Sequence, residues 1–290
     1  MRGVVSGSML AAIRDLGYGS AFDAVYGVSA GAINGAYFIT GDGWPALTVY
    51  YDEMTTRSFI DWRRALRGQP IVSVGFIIDE VMEKRYPLNY GKVVGSDVPL
   101  YVIVTSVHQG KWRAEHTADS PEKLRLLLRA SASIPVAAGA PVEMDGDTYV
   151  DGAVSLAHPA LAAIEDGCSH IVVLRTRARV TPHSLPSMGR VAMTASLLAT
   201  GGKLVKSFND TRRQYAHLDA LIDRDSQCDS PYLLDVSCRP GAHSVGPTTQ
   251  RMDRLMEGMR VGYQSVVETF EGLPGRAFLR PVTIDPDNVG

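Results

Sequence analysis

The sequence predicts an α/β protein with a mostly parallel central sheet. Two observations carry that reading. Short apolar runs of strand length alternate with helical runs along most of the chain, the pattern of a layered α/β domain. The chain also has 290 residues, 45% of them apolar and 21% charged, enough to bury a core in one large domain. No internal repeat and no low-complexity linker divides it.

Taken in order, FDAVYGV (22–28) is an apolar run of strand length, and AGAINGAYFIT (30–40) reads as a helix. Gly31 and Gly35, with Ala32 and Ala36, recur at i, i+4 and give that helix a small-residue face for a sheet. Residues 41–99 are helical and aromatic-rich and break the rhythm, as an insertion over one face would. LYVIVTSV (100–107) is a buried strand, turned back by Gln109-Gly110 into KWRAEH. PEKLRLLLRASA (121–132) starts a helix at Ser120-Pro121 and carries a leucine stripe. DTYVDGA (147–153) is a short strand entering a turn. AHPALAAIEDG (157–167) is a helix stopped by Gly167, followed by the strands HIVVLRT (170–176) and YLLDVSCRP (232–240). QRMDRLMEGMRVGYQSVVETF (250–270) is a closing helix. Between these last elements, RARVTPHSLPSMGR begins a second irregular stretch. Arg175, Arg177, Arg179 and Arg190, with Met188 and Met193, suit a solvated loop better than a flap over a site. The helix after it aligns Leu204, Phe208, Thr211, Tyr215, Leu218 and Ile222 on one stripe, expected to be core.

Composition excludes several classes. A formal net charge of −2 gives no electrostatic footprint for nucleic acid. Cys168, Cys228 and Cys238 are odd in number and widely spaced, which suits free thiols in a reducing compartment, not a disulfide frame or a zinc site. No apolar run reaches membrane-span length, and the first residues lack a secretory signal. The expectation is a cytoplasmic protein, with Asn209-Asp210-Thr211 unglycosylated.

One stretch carries chemistry. In VYGVSAGAINGAYF (25–38), Gly27-Val28-Ser29-Ala30-Gly31 is a G-x-S-x-G pattern between a strand-like run and a helix. That is the setting of a nucleophile elbow, in which the turn lifts the serine hydroxyl into an open site. Gly27 and Gly31 are expected where any side chain would clash as the backbone reverses. The helix start at Ala30 adds backbone donors and a partial positive charge. The competing reading of Ser29 is a small residue in a tight turn. A nucleophilic serine needs a base. The seven histidines (His108, His116, His158, His170, His183, His217 and His243) have no distinguishing setting. The elbow also comes too early for an α/β-hydrolase. Asp151 offers another base: it follows the strand-like TYV, and Gly152 lets the chain bend so that its carboxylate projects from the strand end.

With these two motifs the sequence resembles the patatin-like phospholipase family, over essentially the whole chain. Ser29 matches the family's G-x-S-x-G nucleophile and Asp151 its D-G-[AG] aspartate. RASASIPVAAGAPVEMDGDTYVDGAVSLAHP (129–159), with Ala130-Ser131 and Pro135, is similar to the family's approach to that aspartate, and IEDGCSHIVVLRT looks like its bacterial members. The resemblance implies a single three-layer α/β/α domain over residues 1–290. It implies a serine acyl hydrolase that cleaves fatty-acyl esters of lipids and phospholipids through a Ser-Asp dyad and an acyl-enzyme. It implies no metal or other cofactor, a lipid ester as partner, and peripheral membrane contact. The family opens with a strand ending in G-G-G-x-[RK]-G, whose amides form the oxyanion hole. Here Met1-Arg2-Gly3 aligns with its end, so the N-terminal strand and glycine-rich loop are expected to be truncated. Gly3 and Ala30 are left as the backbone oxyanion donors. Arg2 either faces a lipid phosphate or pairs with a neighbouring acid. An acyltransferase or transacylase using the same site remains open, as does a non-catalytic lipid- or protein-binding role.

Overall fold

The computed structural model describes residues 1–116, 120–135, 137–179, 187–224, 231–242 and 245–272, with 187–190 described by backbone only. The order is α1 (Gly3–Asp15), β1 (Val25–Val28), α2 (Ala30–Thr40), α3 (Gly43–Asp52), a 3-10 turn (Trp62–Arg67), a π-wound segment (Phe76–Arg85), α4 (Tyr90–Val94), β2 (Leu100–Ser106) and β3 (Lys111–His116). Then come α5 (Pro121–Ala132), β4 (Val142–Met144), β5 (Asp147–Asp151), α6 (Ala160–Glu165), β6 (His170–Arg175), α7 (Ser187–Thr200), α8 (Gly202–Ile222), β7 (Tyr232–Ser237) and α9 (Met252–Glu271). The chain is α/β, as its alternation predicts.

Local chemistry explains the element ends. The Ser120 hydroxyl accepts from Lys123 N at 3.1 Å, capping α5 with Pro121 in its first turn. Leu124, Leu127 and Leu128 are fully buried, so the leucine stripe is core. Gly110, at φ +67, turns β2 back into β3. Asp145 and Gly146, both at positive φ, join β4 to β5 in a two-residue hairpin loop. The sequence reading did not identify β4. Helix α6 is shorter than expected, since His158 and Pro159 stand outside it.

Among the described residues five strands form one sheet in the order β1-β2-β5-β4, with β3 on β2, and β6 and β7 form a second, parallel pair. The parallel pairs, β1–β2 and β6–β7, are those joined by long crossovers, while the short turns give antiparallel hairpins β2–β3 and β4–β5. A strand has two edges. Along Tyr101–Ser106, β3 takes one edge of β2, so β1 and β5 share the other. They meet end to end there: Val28 lies opposite Ile103, and Asp151 opposite the next residue, Val104.

The core lies between this sheet and the helices. Val4, Val5, Met9, Ala12 and Ile13 of α1 are buried. Gly262 of α9 lies so close to α1 that a Cβ there would come 2.3 Å from Ser8 Oγ and 2.5 Å from Val5 O. Residues 41–99 are not an appended insertion. They bring Leu47, Tyr50, Ile60, Ile78, Val81 and Met82 into the main core, because aromatic and branched side chains on both α3 and the π-wound segment face inward. The α8 stripe divides: Leu204 and Leu218 are fully buried, whereas Phe208, Thr211 and Tyr215 line a cavity. Arg175 is also no solvated loop residue. It is 5% exposed on β6 and ion-paired to Asp219 of α8 (2.7 Å) and Asp235 of β7 (2.9 Å). Arg179 pairs with Asp223 and, at 3.7 Å, Asp235. Of the expectations above, those on the side chains of Met188 and Arg190, and on His183, Cys228 and His243, lie outside the described residues.

Candidate active site

Ser29 sits where β1 ends and α2 begins, at φ 55 and ψ −130. A non-glycine residue at positive φ costs of order 1–3 kcal/mol and persists only where its surroundings hold it. The holders are visible. The Ser29 amide donates to Ser131 Oγ at 2.8 Å, and Ser131 Oγ donates to Ile103 O at 2.7 Å. The Ser29 carbonyl accepts from Ala32 N at 3.0 Å. With its own amide engaged, Ser29 leaves the amide of Ala30 as the elbow's first open donor.

The two motif glycines differ. At Gly27 a Cβ would come 2.5 Å from Ala32 Cα and 2.7 Å from Ala32 N, so α2 folds back onto a bare backbone as expected. At Gly31 a Cβ would meet nothing within 4 Å, and the expected clash does not exist there. Gly31 faces an open cavity, so the reversal needs only one of the two glycines.

Asp151 reaches the same point from the other direction. Its amide donates to Ser133 O at 2.8 Å, and its carbonyl accepts from Thr105 Oγ1 at 3.0 Å. Gly152 behind it does more than permit a bend: a Cβ there would lie 2.5 Å from Ile103 O. The Asp151 side chain is fully buried. Oδ1 accepts from Ala153 N at 2.8 Å, while Oδ2 has no hydrogen-bond partner among the described residues. Burial raises its pKa from 3.8 to about 7, against the smaller opposing effects of the Ala153 amide and the Ser29 side chain. The serine therefore stands within range of this carboxyl without completing a hydrogen bond to Oδ2.

Ser29 and Asp151 line one cavity of about 1590 Å³ with Arg2, Gly3, Gly27, Ala30 and Gly31. Gly152 lies behind its wall. A Cβ on Gly3 would meet Ala30 Cβ at 2.5 Å, so the first turns of α1 and α2 converge beside the serine. First-turn amides have no intrahelical acceptor, so two helix starts that carry such donors meet here. Arg2 Nε donates to Val245 O at 3.3 Å, and Arg2 forms no ion pair among the described residues. Burial and the neighbouring Arg177 lower its pKa to about 10, with Tyr215 opposing them. The expected neighbouring acid is therefore absent from its described surroundings.

Among the described residues, no histidine is one of the groups that act on Asp151. His158 lines the cavity, but its Nδ1 accepts from Ala160 N at 3.2 Å and its Nε2 faces Leu174 O at 3.2 Å. His108 pairs with Asp147 at 2.7 Å, and Ser106 Oγ donates to the same carboxylate at 2.6 Å. That serine is bonded to the acid and not to the histidine, which is not the order of a nucleophile and its base. Sequence reading missed Thr105 and the part played by Ser131. Ser131 had been noted only as a family-like position, and both look like ordinary element residues.

Fold and site are thus those of an α/β chain with a serine elbow and a buried aspartate over a large cavity. The family model for patatin-like phospholipase matches residues 1–164, more than half of the chain, and the chain belongs to that family. It is also similar to the uncharacterized protein YjjU of Escherichia coli (strain K12), with 28% identity over 158 residues. That match covers 53% of this chain and 43% of the relative, so the chain spans less than half of the relative's length. Among the described residues no helix is long and apolar enough to cross a membrane.

Proposed function

We propose that this chain is a serine acyl hydrolase that cleaves fatty-acyl esters of lipids and phospholipids through Ser29 and Asp151. The observation that carries the reading is the Asp151 carboxyl: fully buried, with Oδ2 unpartnered and the pKa raised to about 7, beside a serine held at positive φ. A base poised near neutral pH takes a proton well and returns it well.

In this mechanism the Asp151 carboxylate accepts the Ser29 hydroxyl proton as Oγ attacks the acyl carbonyl. The amides of Ala30 and Gly3 hold the oxyanion, where each such donor contributes about 3 kcal/mol. Collapse breaks the ester bond, and the departing alkoxide takes the proton from Asp151. Water then gives a proton to Asp151 and attacks the acyl-enzyme; collapse of this second intermediate returns the proton to Ser29 and frees the fatty acid. The mostly aliphatic and aromatic cavity wall, with Phe22, Ile33, Phe38, Phe59 and Phe208, suits an acyl chain. Arg2 is assigned to the lipid phosphate, since no described acid neutralises it.

The 290 residues act as one domain in this reading. Beyond the matched residues, β6 and α8 line the same cavity and α9 packs on α1. The free thiols of Cys168 and Cys238 support a reducing, cytoplasmic setting. The test is a fluorophosphonate probe. It should label the wild-type chain and leave Ser29→Ala unlabelled, and Asp151→Asn should abolish ester hydrolysis in a folded protein. Replacing each histidine singly should leave activity largely intact. Labelling that survives Ser29→Ala, or a histidine variant as inactive as Asp151→Asn, overturns the assignment. Added glycerol that appears acylated in the products would make the chain a transacylase.

A further inference from the structure

Residues 57–69 form a loop that buries Phe59 and Ile60 and exposes an unusual surface from Trp62 to Gln69. Trp62 is 58% exposed and Leu66 89%, both on the 3-10 turn Trp62–Arg67, which buries none of its side chains. The same stretch holds four arginines, Arg57, Arg63, Arg64 and Arg67, against one acid, Asp61. Asp61 is already used as the cap of the turn, accepting from Arg63 N at 3.0 Å. Arg64 is spent internally, donating to Ser58 O (2.8 Å) and Phe59 O (3.3 Å). Arg57, Arg63 and Arg67 are exposed and form no ion pair among the described residues.

The loop stands on a fixed base. Asp61 N donates to Ile71 O at 3.0 Å and Ser73 N to Phe59 O at 2.9 Å, and Val72 bridges to Ala138. Gln250 Nε2 reaches up to Thr55 O at 3.0 Å. Phe59 within this loop, and Val72, Val74 and Ala138 at its base, line the cavity that holds Ser29 and Asp151. An exposed tryptophan and leucine cost free energy in water, and nothing in the described chain covers them. An indole beside uncompensated guanidinium groups suits the boundary between lipid headgroups and acyl chains.

We propose that this loop is the surface by which the protein docks on an anionic lipid bilayer, with Trp62 and Leu66 entering the interface and Arg57, Arg63 and Arg67 meeting the headgroups. The proposal rests on the lipid-ester reading of the cavity, because docking here sets its Phe59–Val72 side against the membrane that holds the substrate. The charge of the patch selects a bilayer over a second copy of the chain, whose same arginines would repel.

The experiment is vesicle flotation of the full 290-residue chain, with phosphatidylcholine vesicles containing phosphatidylglycerol and with phosphatidylcholine alone. Wild type should float with the mixed vesicles and much less with the neutral ones, and added salt should weaken it. Trp62→Ser combined with Leu66→Ser should lower partitioning by about 10-fold or more. Arg63→Gln and Arg67→Gln should each lower it about fivefold. The thermal melt and hydrolysis of a water-soluble short-chain ester should be unchanged in all of these. Ser29→Ala should float like wild type, which separates docking from catalysis. If the Trp62/Leu66 variant floats like wild type, or wild type ignores lipid charge, the loop is not the dock. If wild type fails to float and instead dimerises through Trp62 and Leu66, the face belongs to a second copy and the proposal falls. Loss of flotation with soluble-ester activity intact leaves the acyl hydrolase reading standing; absent activity with flotation intact does the reverse.

Discussion

At the scale of single residues, Asp151 carries two linked consequences. Its folded pKa of about 7 lies above the unfolded value of 3.8, so the native state holds this proton more tightly than the unfolded chain does. Stability from this group is therefore full below pH ~4, falls as pH rises towards ~7, and is flat above it. At about 1.4 kcal/mol per pKa unit, roughly three units amount to about 4 kcal/mol. Asp151→Asn removes the ionisation and keeps an oxygen for the Ala153 amide. It should be more stable than wild type at pH 8, by up to about 4 kcal/mol, and close to wild type at pH 4. Denaturant melts at the two pH values measure this. The same group should govern catalysis in the opposite sense. In the proposed mechanism the carboxylate is the base, so kcat/KM of wild type should rise with pH through an apparent pKa near 7. A flat profile between pH 5 and 9 would remove Asp151 from that role. Ser131 is a positioning residue of the same site. Ser131→Ala strips the Ser29 amide of its acceptor and Ile103 O of its donor, and should cost about 1–3 kcal/mol. Its kcat should fall while the apparent pKa stays where Asp151 puts it.

At the scale of elements, the elbow depends on one glycine more than on the other. Gly27→Ala would drive a methyl group into the backbone of Ala32, and backbone cannot step aside as a side chain can. It should lower the melting temperature by several degrees and abolish labelling of Ser29. Gly31→Ala meets open space in a helix and should melt at or above wild type, by up to about 1 kcal/mol. Any effect of Gly31→Ala should be on KM, through the methyl group added to the cavity wall. Equal damage from both substitutions would restore the symmetrical account of the motif. The elements themselves were legible because each is written locally: the Ser120-Pro121 start, the Leu124, Leu127 and Leu128 stripe, the turn at Gly110. Asp151 could be read as a candidate base only beside the elbow, and the family likeness then implied its role, since Asp-Gly alone marks a turn as readily as a site. Indeed Asp145-Gly146, the same dipeptide, is a hairpin turn. What brings Ser29 to Asp151 could not be read at all. It is the sharing of one edge of β2 by two strands far apart in sequence, and no local pattern encodes a register. Thr105 and Ser131 escaped for the same reason, since their hydroxyls act on residues distant in the chain.

At the scale of the whole molecule, the cavity of about 1590 Å³ exceeds an ordinary ligand pocket of roughly 300–1,000 Å³. Part of the reason lies in the sheets. Val25–Val28 of β1 line it, and so do Ile171, Val172 and Leu174 of β6. Each strand has a single partner among the described residues, β2 and β7 respectively, so each keeps an unpaired edge. Met1, Arg2 and Gly3 also line this space, so a segment joined ahead of Met1 would enter it on the way to α1. The likeness at Arg2-Gly3 expects a strand there, ending in the turn G-G-G-x-[RK]-G. Such a strand would have the unpaired edges of β1 and β6 to pair with, would bury apolar area and would bring further amides to the oxyanion proposed beside Ala30. The expected outcome for the chain extended by that strand and turn, assayed beside the 290-residue chain, is a higher melting temperature. Its kcat on a short-chain ester should be at least ~10-fold higher, a modest share of what one oxyanion donor contributes. A rise in melting temperature without a rise in kcat would mean that the strand seats but the amides of Gly3 and Ala30 already suffice. Equal values for both quantities would mean that the two edges are not a strand's seat and the space belongs to the substrate.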